Sequence, residues 1–350
     1  MLAELEFYLK NNYSLCPQQT SFIANPANLS SVAHYLSMAL LPFYVFGGYC
    51  ILFKTPNTMK QVKWPLFLVF FWCTTADFML TSLITPFFYF PALSGFCLGI
   101  LGRIGIPTEI VVYIGAVCCW AMILSISSLF EDRFNSIPAN EWRIRRSSTK
   151  LIYHCFRILI CLLYPLPTLI FSPDQELAKW DTLKILPCPS PEFFTVPVFT
   201  LQTTGIVATI AVIFTIFIAF FEAGQIIFFG SYCLYFLYIY PSKFVSHRTR
   251  RLQAHYFYAI AVQIGVSATS LVFPFSYFMI SVLLLYHNQV ITNLCVLFFA
   301  VHGFLSTIVV ILIHSPYRNF AKKCLRITCS PKKSSARSTR LIELKGAQLF

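Results

Sequence analysis

The sequence is short of charge, and shortest of negative charge. Only 11% of its 350 residues are charged, and 13 of them are acidic. A soluble domain carries about 25% charged residues. A water-facing surface cannot be built from this composition. Catalytic signatures are missing too. There is no H-E-x-x-H, no G-x-S-x-G and no Walker-type glycine loop. The seven histidines are scattered, and His302 and His314 stand too far apart to share a metal. No enzymatic activity, cofactor or metal is expected. Alternation of apolar and polar residues is absent, which argues against a β-barrel. Internal repeats are absent as well, so the inverted-repeat plan of many transporters has no support.

Apolar residues fill the space. They make up 57% of the chain, and 37 residues are phenylalanine. A bilayer-spanning helix needs roughly 20 apolar residues. Seven segments qualify: Val32–Phe53, Trp64–Phe90, Ile106–Phe130, Leu151–Ser172, Phe199–Tyr235, Tyr256–Leu285 and Val290–Ile313. The expected fold is all-α, a seven-helix membrane bundle. The run from Phe193 to Tyr240 is long for one span and short for two.

Positive charge decides between them, because Lys and Arg collect in short cytoplasmic loops. Most of the 26 basic residues fall in four clusters. Lys54, Lys60 and Lys63 follow the first span. Arg133, Arg143, Arg145, Arg146 and Lys150 follow the third. Lys243, Arg248, Arg250 and Arg251 precede the sixth, and the rest follow the last. A single fifth span puts all four clusters on one face. The amino terminus (1–31) is then outside, the seven-helix transmembrane domain with a short helix after its last span covers 32–326, and a basic tail (327–350) lies inside. This bias accounts for the formal charge of +13, so no nucleic-acid partner is implied; the bilayer is.

Other residues stand out by position. Asp77 lies mid-membrane, where a carboxylate costs about 2.5–3.5 kcal/mol on insertion scales. It suits ion coordination, a hydrogen-bonded link between helices, or a protonated acid satisfied by Thr74, Thr75 or Ser82. Glu109 and Glu222 read as solvated or interfacial. Glu131, Asp132 and Arg133 cluster where the third span meets the cytoplasm. Arg133 can pair with either acid there, as a switch that an inserted partner breaks or as a plain charged stop.

Three cysteines are expected outside: Cys16, Cys97 and Cys188. An oxidising exterior favours a disulfide. Cys188 is its expected common member, with Cys16 or Cys97 as partner. Asn12 and Asn28 head acceptor sequons for N-glycosylation. After the last span, PYRNFAKKCLRITC fits a short amphipathic helix on the membrane, with Phe320, Ala321, Cys324 and Leu325 toward lipid. Cys324 and Cys329 are candidates for palmitoylation.

Ordered blocks along the chain resemble one family. GGYCILFKTPNTMKQVKW (Gly47–Trp64) and FEDRF (Phe130–Phe134) are two of them. DQELAKW with LPCP (Asp174–Trp180, Leu186–Pro189) and RTRRLQAHYFYAIAVQ (Arg248–Gln263) are two more. YHNQVITN and VHGFLSTIVVILIHSPYRNF complete the set within Tyr286–Phe320. They resemble the nematode serpentine receptor class H chemoreceptors, although an Asn more often stands in that family at Asp132. The resemblance implies a G-protein-coupled receptor-like protein in the plasma membrane of a sensory neuron, at its cilium. A small environmental chemical would be its ligand and a heterotrimeric G protein its partner. Arg133 would then contact the G protein. The expected pocket lies between the outer halves of spans three, five, six and seven, with Tyr113, Gln202, Thr203, Tyr277 and Tyr286 on its walls. The alternative is a chemosensory ligand-gated channel or transporter. That would require a polar stripe or paired ionisable groups inside the spans.

Overall fold

In the computed structural model, residues 7–8, 10–16, 21–137, 142–144, 146–170, 173–201, 206–239 and 246–329 are described. The chain is mainly helical. Asn25 starts the first long helix, α1 (Pro26–Phe53), by accepting bonds from the Ala27 and Asn28 amides, with Pro26 at the first turn. The helices α2 (Lys60–Phe78), α3 (Thr108–Asn135) and α4 (Ser147–Leu163) follow. A shorter α5 (Gln175–Ile185) lies in the long connection after α4. The last long elements are α6 (Ile206–Leu234), α7 (His247–Leu284), α8 (Gln289–Phe299), α9 (His302–Ile313) and α10 (Ser315–Cys329).

Six stretches among the described residues are long and apolar enough to cross a membrane. The fifth apolar run holds one long helix, α6, extended by a π turn at Tyr235–Ile239, but its first residues, Phe199–Thr200, are a strand and not part of the span. The expected fourth span, Leu151–Ser172, is interrupted. Pro165 and Pro167 carry no amide hydrogen. The helix stops at Leu163, and a short turn resumes at Pro167–Ile170. The expected seventh span is broken as well, between α8 and α9, although neither proline nor glycine stands at Ala300 or Val301.

The second span is shorter than its apolar run. After a π turn at Met79–Leu83, the residues Pro86–Tyr89 form strand β1. An antiparallel three-stranded sheet results from β1, β2 (Ser94–Cys97) and β3 (Phe199–Thr200), in that order. Phe88 pairs with Gly95, and Gly95 pairs with Phe199. Phe87, Tyr89 and Phe96 are buried against Leu29, Leu183, Leu186 and Phe193. This small core forms one end of the molecule, called here the disulfide end. The main core lies between α2, α3, α7 and α9, around Leu66, Met122, Leu129, Ile260 and Val310.

Cys16 joins Cys188. Tyr13 donates to the Pro189 carbonyl at 2.9 Å, and Tyr8 packs edge-on against Trp180. The amino-terminal segment therefore lies along the connection that carries Cys188. The other expected partner, Cys97, keeps a free thiol near the Ile84 carbonyl, at 2.9 Å. Burial pushes that thiol up from its ordinary value.

After the last span the chain is helical, in α10, and Phe320 turns inward. It stacks on Phe46 of α1 at 5.9 Å and lies under the Lys54 ammonium at 4.5 Å. Cys324 is half-buried. The Cys329 side chain and residues 330–350 lie outside the described residues.

Candidate functional site

Three regions carry polar groups or space where a bundle needs neither for packing alone. The first is mid-bundle. Asp77 on α2 is 1% exposed. Its Oδ2 accepts from the Tyr44 hydroxyl of α1 at 2.6 Å and from the Phe304 amide of α9 at 3.0 Å. Phe304 is in the first turn of α9, where backbone amides have no partner inside the helix. Asp77 therefore caps a helix it does not belong to. This explains the break in the seventh span: α9 can begin afresh because a carboxylate meets its first turn. His302 Nδ1 lies 2.7 Å from Asp77 Oδ1 and 3.0 Å from the Phe299 carbonyl. Both neighbours are acceptors, so Nδ1 carries a proton. Gly303 makes the approach feasible. A Cβ there would lie 2.7 Å from both Asp77 Oδ2 and the Cys73 carbonyl.

Of the roles open to Asp77, the hydrogen-bonded link between helices is the one the geometry displays. Thr74, Thr75 and Ser82 do not satisfy the carboxylate; residues of α1 and α9 do. His302 and Tyr44 were not singled out. The rule that flagged Asp77, a polar side chain in the middle of an apolar span, covers His302 equally.

The second region is at the opposite, basic end. Arg157 of α4 is 4% exposed and lies 2.6 Å from Glu222 Oε2 of α6. Its guanidinium also reaches Ser127 and, at 3.3 Å, Ser128 of α3. Glu131 Oε2 stands 3.8 Å away. The reading of Glu222 as solvated or interfacial is thus corrected: it is buried in an ion pair between α4 and α6 and accepts from Ser127 of α3 at 2.9 Å. Within FEDRF the three charges separate. Glu131 turns inward toward Arg157 and accepts from Asn135 at 3.3 Å. Asp132 and Arg133 pair with each other at 2.8 Å. Arg133 also borders a cleft of about 170 Å³ shared with Ser136, Gln253, Tyr256 and Leu237.

The third region is at the disulfide end. An open cavity of about 860 Å³ runs between α1, α3 and α5, with Arg103, Glu109 and Lys179 on its walls. Glu109 therefore faces a cavity. A smaller one of about 210 Å³ lies between the sheet and α3.

Of the expected pocket residues that are described, Tyr113, Tyr277 and Tyr286 line none of these cavities. Tyr113 faces α4 and donates to the Leu162 carbonyl at 3.0 Å. That carbonyl is open because the Leu166 amide bonds Leu163 instead. Tyr277 faces α8, with the Asn288 carbonyl 3.1 Å from its hydroxyl. Tyr286 is exposed in the turn between α7 and α8. Gln202 and Thr203 lie outside the described residues. The two sequon residues also differ. Asn12 is exposed, whereas the Asn28 amide donates to the Phe22 carbonyl at 3.1 Å.

Residues 24–327 match the family model described as serpentine type 7TM GPCR chemoreceptor Srh. The chain belongs to the serpentine class H chemoreceptors. A class H relative is Serpentine receptor class H-72 of Caenorhabditis elegans, 32% identical over 324 residues. That match covers 91% of this chain and 92% of the relative. Family membership and the apolar helices make the class H chain a multi-pass membrane protein. Its family is a receptor family, not an enzyme family. Several of the blocks that carried the resemblance have structural work in this class H fold. Asp174 caps α5 by accepting from Glu176. Gln175 brackets the backbone of Thr200 in β3, accepting at 2.8 Å and donating at 3.4 Å. His302 and Gly303, in VHGF, complete the Asp77 hub.

Proposed function

We propose that this protein is a chemosensory receptor that binds a small environmental chemical and signals through a heterotrimeric G protein. The observation that carries the reading is the state of Arg133. It lines a cleft at the basic end of the bundle, and its only ion-pair partner among the described residues is Asp132, which is 40% exposed. Arg133 itself is 13% exposed, so water screens the pair from the Asp132 side and weakens it. An inserted peptide can take over the guanidinium at little cost and favour one arrangement of α2, α3 and α7 over another.

In this reading the disulfide end faces outward, as the clustering of Lys and Arg at the other end requires. The receptor sits in the plasma membrane of a sensory neuron, at the cilium. Its tail from about residue 327 is cytoplasmic, and Cys324 and Cys329 are its palmitoylation candidates.

Arg133→Ala is expected to reach the cell surface in wild-type amounts and to lose ligand-evoked G-protein activation at least tenfold. Full activation by that variant would remove Arg133 from the coupling role. Glycosylation reports orientation separately. Asn12→Gln is expected to abolish the glycosidase-sensitive mass shift, and Asn28→Gln to leave it unchanged, since Asn28 is held in the first turn of α1. An antibody against residues near Phe350 should stain only permeabilised cells. Staining of intact cells would invert the topology and end the receptor reading.

A further inference from the structure

The sheet at the disulfide end is built with a gap in it. Phe88, Gly95 and Phe199 stand side by side on β1, β2 and β3, one residue per strand. Paired residues in register put their side chains on the same face. A row of two phenyl rings therefore flanks a position with no side chain. Neighbouring strands lie about 4.8 Å apart, so the two flanking backbones are about 9.6 Å apart. A planar ring touching a carbon surface on each side needs about 7–8 Å. The Phe88 ring leans toward Gly95, 3.1 Å from where a Cβ there would stand, so a bound ring lies on the Phe199 side of it.

Other features make the gap a site. Val111 and Val112 of α3 close it from the opposite side, and Leu201 contributes to its wall. The cavity is partly open and has a volume of about 210 Å³. A dry apolar cavity of about 150 Å³ is enough to bind benzene. No charged residue lines the cavity. The Thr108 hydroxyl is already engaged with the Pro197 carbonyl at 3.1 Å. Glycine is required as the floor: a Cβ at Gly95 would meet the Phe87 carbonyl at 2.6 Å and the Phe88 ring at 3.1 Å.

We propose that the gap over Gly95, between Phe88 and Phe199 and beneath Val111 and Val112, binds a small neutral ring compound, an aromatic ring with a short apolar substituent. The proposal rests on the receptor reading and gives that receptor its ligand class and site. The site is also connected. Phe90, the residue after β1, stacks on Phe278 of α7 with centroids 4.6 Å apart, and Phe88 meets the same ring edge-on at 6.3 Å. His287 Nδ1 lies 2.7 Å from the Phe90 carbonyl, and Gln289 donates to the Phe88 carbonyl at 3.0 Å. A ring that orders Phe88 therefore bears on α7 and on the turn leading to α8. On the other side, Val111 and Val112 belong to α3, the helix that carries Arg133 near its other end.

The test uses the full chain in lipid nanodiscs, with ethylbenzene as probe and benzoate as a charged control. Ethylbenzene is expected to raise the melting midpoint in a saturable way, and benzoate to leave it unchanged. Val112→Phe fills the cavity from the α3 side and is expected to weaken ethylbenzene binding at least tenfold. A folded Val112→Phe receptor that binds the probe like the wild type overturns the site, as does a wild type that binds no ring probe. If Val112→Phe does not fold, Phe199→Ala decides. It is expected to shift preference from ethylbenzene toward naphthalene, and an unchanged preference overturns the site. Binding is read without a G protein. Lost coupling with intact ring binding therefore strikes the receptor reading alone, and intact Arg133-dependent coupling without ring binding strikes this site alone.

Discussion

Asp77→Ala is expected to destabilise the receptor by about 3–5 kcal/mol, the cost of removing one partner from a buried charged network. The carboxylate holds three groups from two other helices: the Tyr44 hydroxyl, the Phe304 amide and His302. Alanine leaves the Tyr44 hydroxyl and the Phe304 amide without their acceptor and removes the carboxylate beside His302, whose Nδ1 keeps the Phe299 carbonyl; an unsatisfied buried group pays its full desolvation penalty. It also uncaps α9 in the middle of the seventh span. Thermal unfolding followed by size-exclusion chromatography in detergent would measure the loss. Tyr44→Phe removes a single bond and should cost much less, about 1–2 kcal/mol. Adding Tyr44→Phe to Asp77→Ala should cost almost nothing more, because the bond is already gone. An Asp77→Ala receptor as stable as the wild type would mean that the hub holds nothing together.

Arg157→Ala carries the second large effect. The guanidinium sits between Glu222 and Glu131, both buried, with distances of 2.6 Å and 3.8 Å. Its removal strands two carboxylates among α3, α4 and α6. Breaking such a pair from one side typically costs about 3–5 kcal/mol, while exchanging both partners for apolar residues of similar size is often neutral. Arg157→Met alone should therefore lower the melting midpoint sharply. Combined with Glu222→Leu it should regain most of the loss. A double variant no more stable than Arg157→Met would show that the pair contributes nothing specific, and that Glu131 alone sets the cost.

Much of the fold was legible because a lipid solvent imposes local, additive demands. Apolar runs, the scarcity of acids and the clustering of Lys and Arg need no knowledge of contacts. Asp77 was legible for the same reason: a carboxylate in hydrocarbon is costly wherever its partners are. The helix after the last span followed from its apolar and basic faces. Ordered blocks such as FEDRF and DQELAKW carried the family.

The structure corrected the expectations that depended on partners. Pro86–Tyr89 was assigned to the second span because a short buried strand and a buried helix end look alike in sequence. Only pairing with Ser94–Cys97 separates them. Glu222 was read as solvated because its cation is 65 positions away in the chain. Tyr113 was turned toward a ligand, but the carbonyl opened by the interruption after Leu163 holds it against α4. The seventh span looked continuous because no residue at Ala300 or Val301 breaks a helix; Asp77, on another helix, permits the break.

The sequence by itself determined that this chain is a multi-pass helical membrane protein, where its apolar runs lie, which carboxylate is out of place and which receptor family it belongs to. The tertiary structure alone decided that Cys188 takes Cys16 over Cys97, that Glu222 meets Arg157, that α9 begins at an Asp77 cap and that Phe88 and Phe199 flank Gly95. The division is physical. Transfer into lipid is a sum over single residues, whereas a pairing depends on which distant segments fold to within a few ångströms of each other.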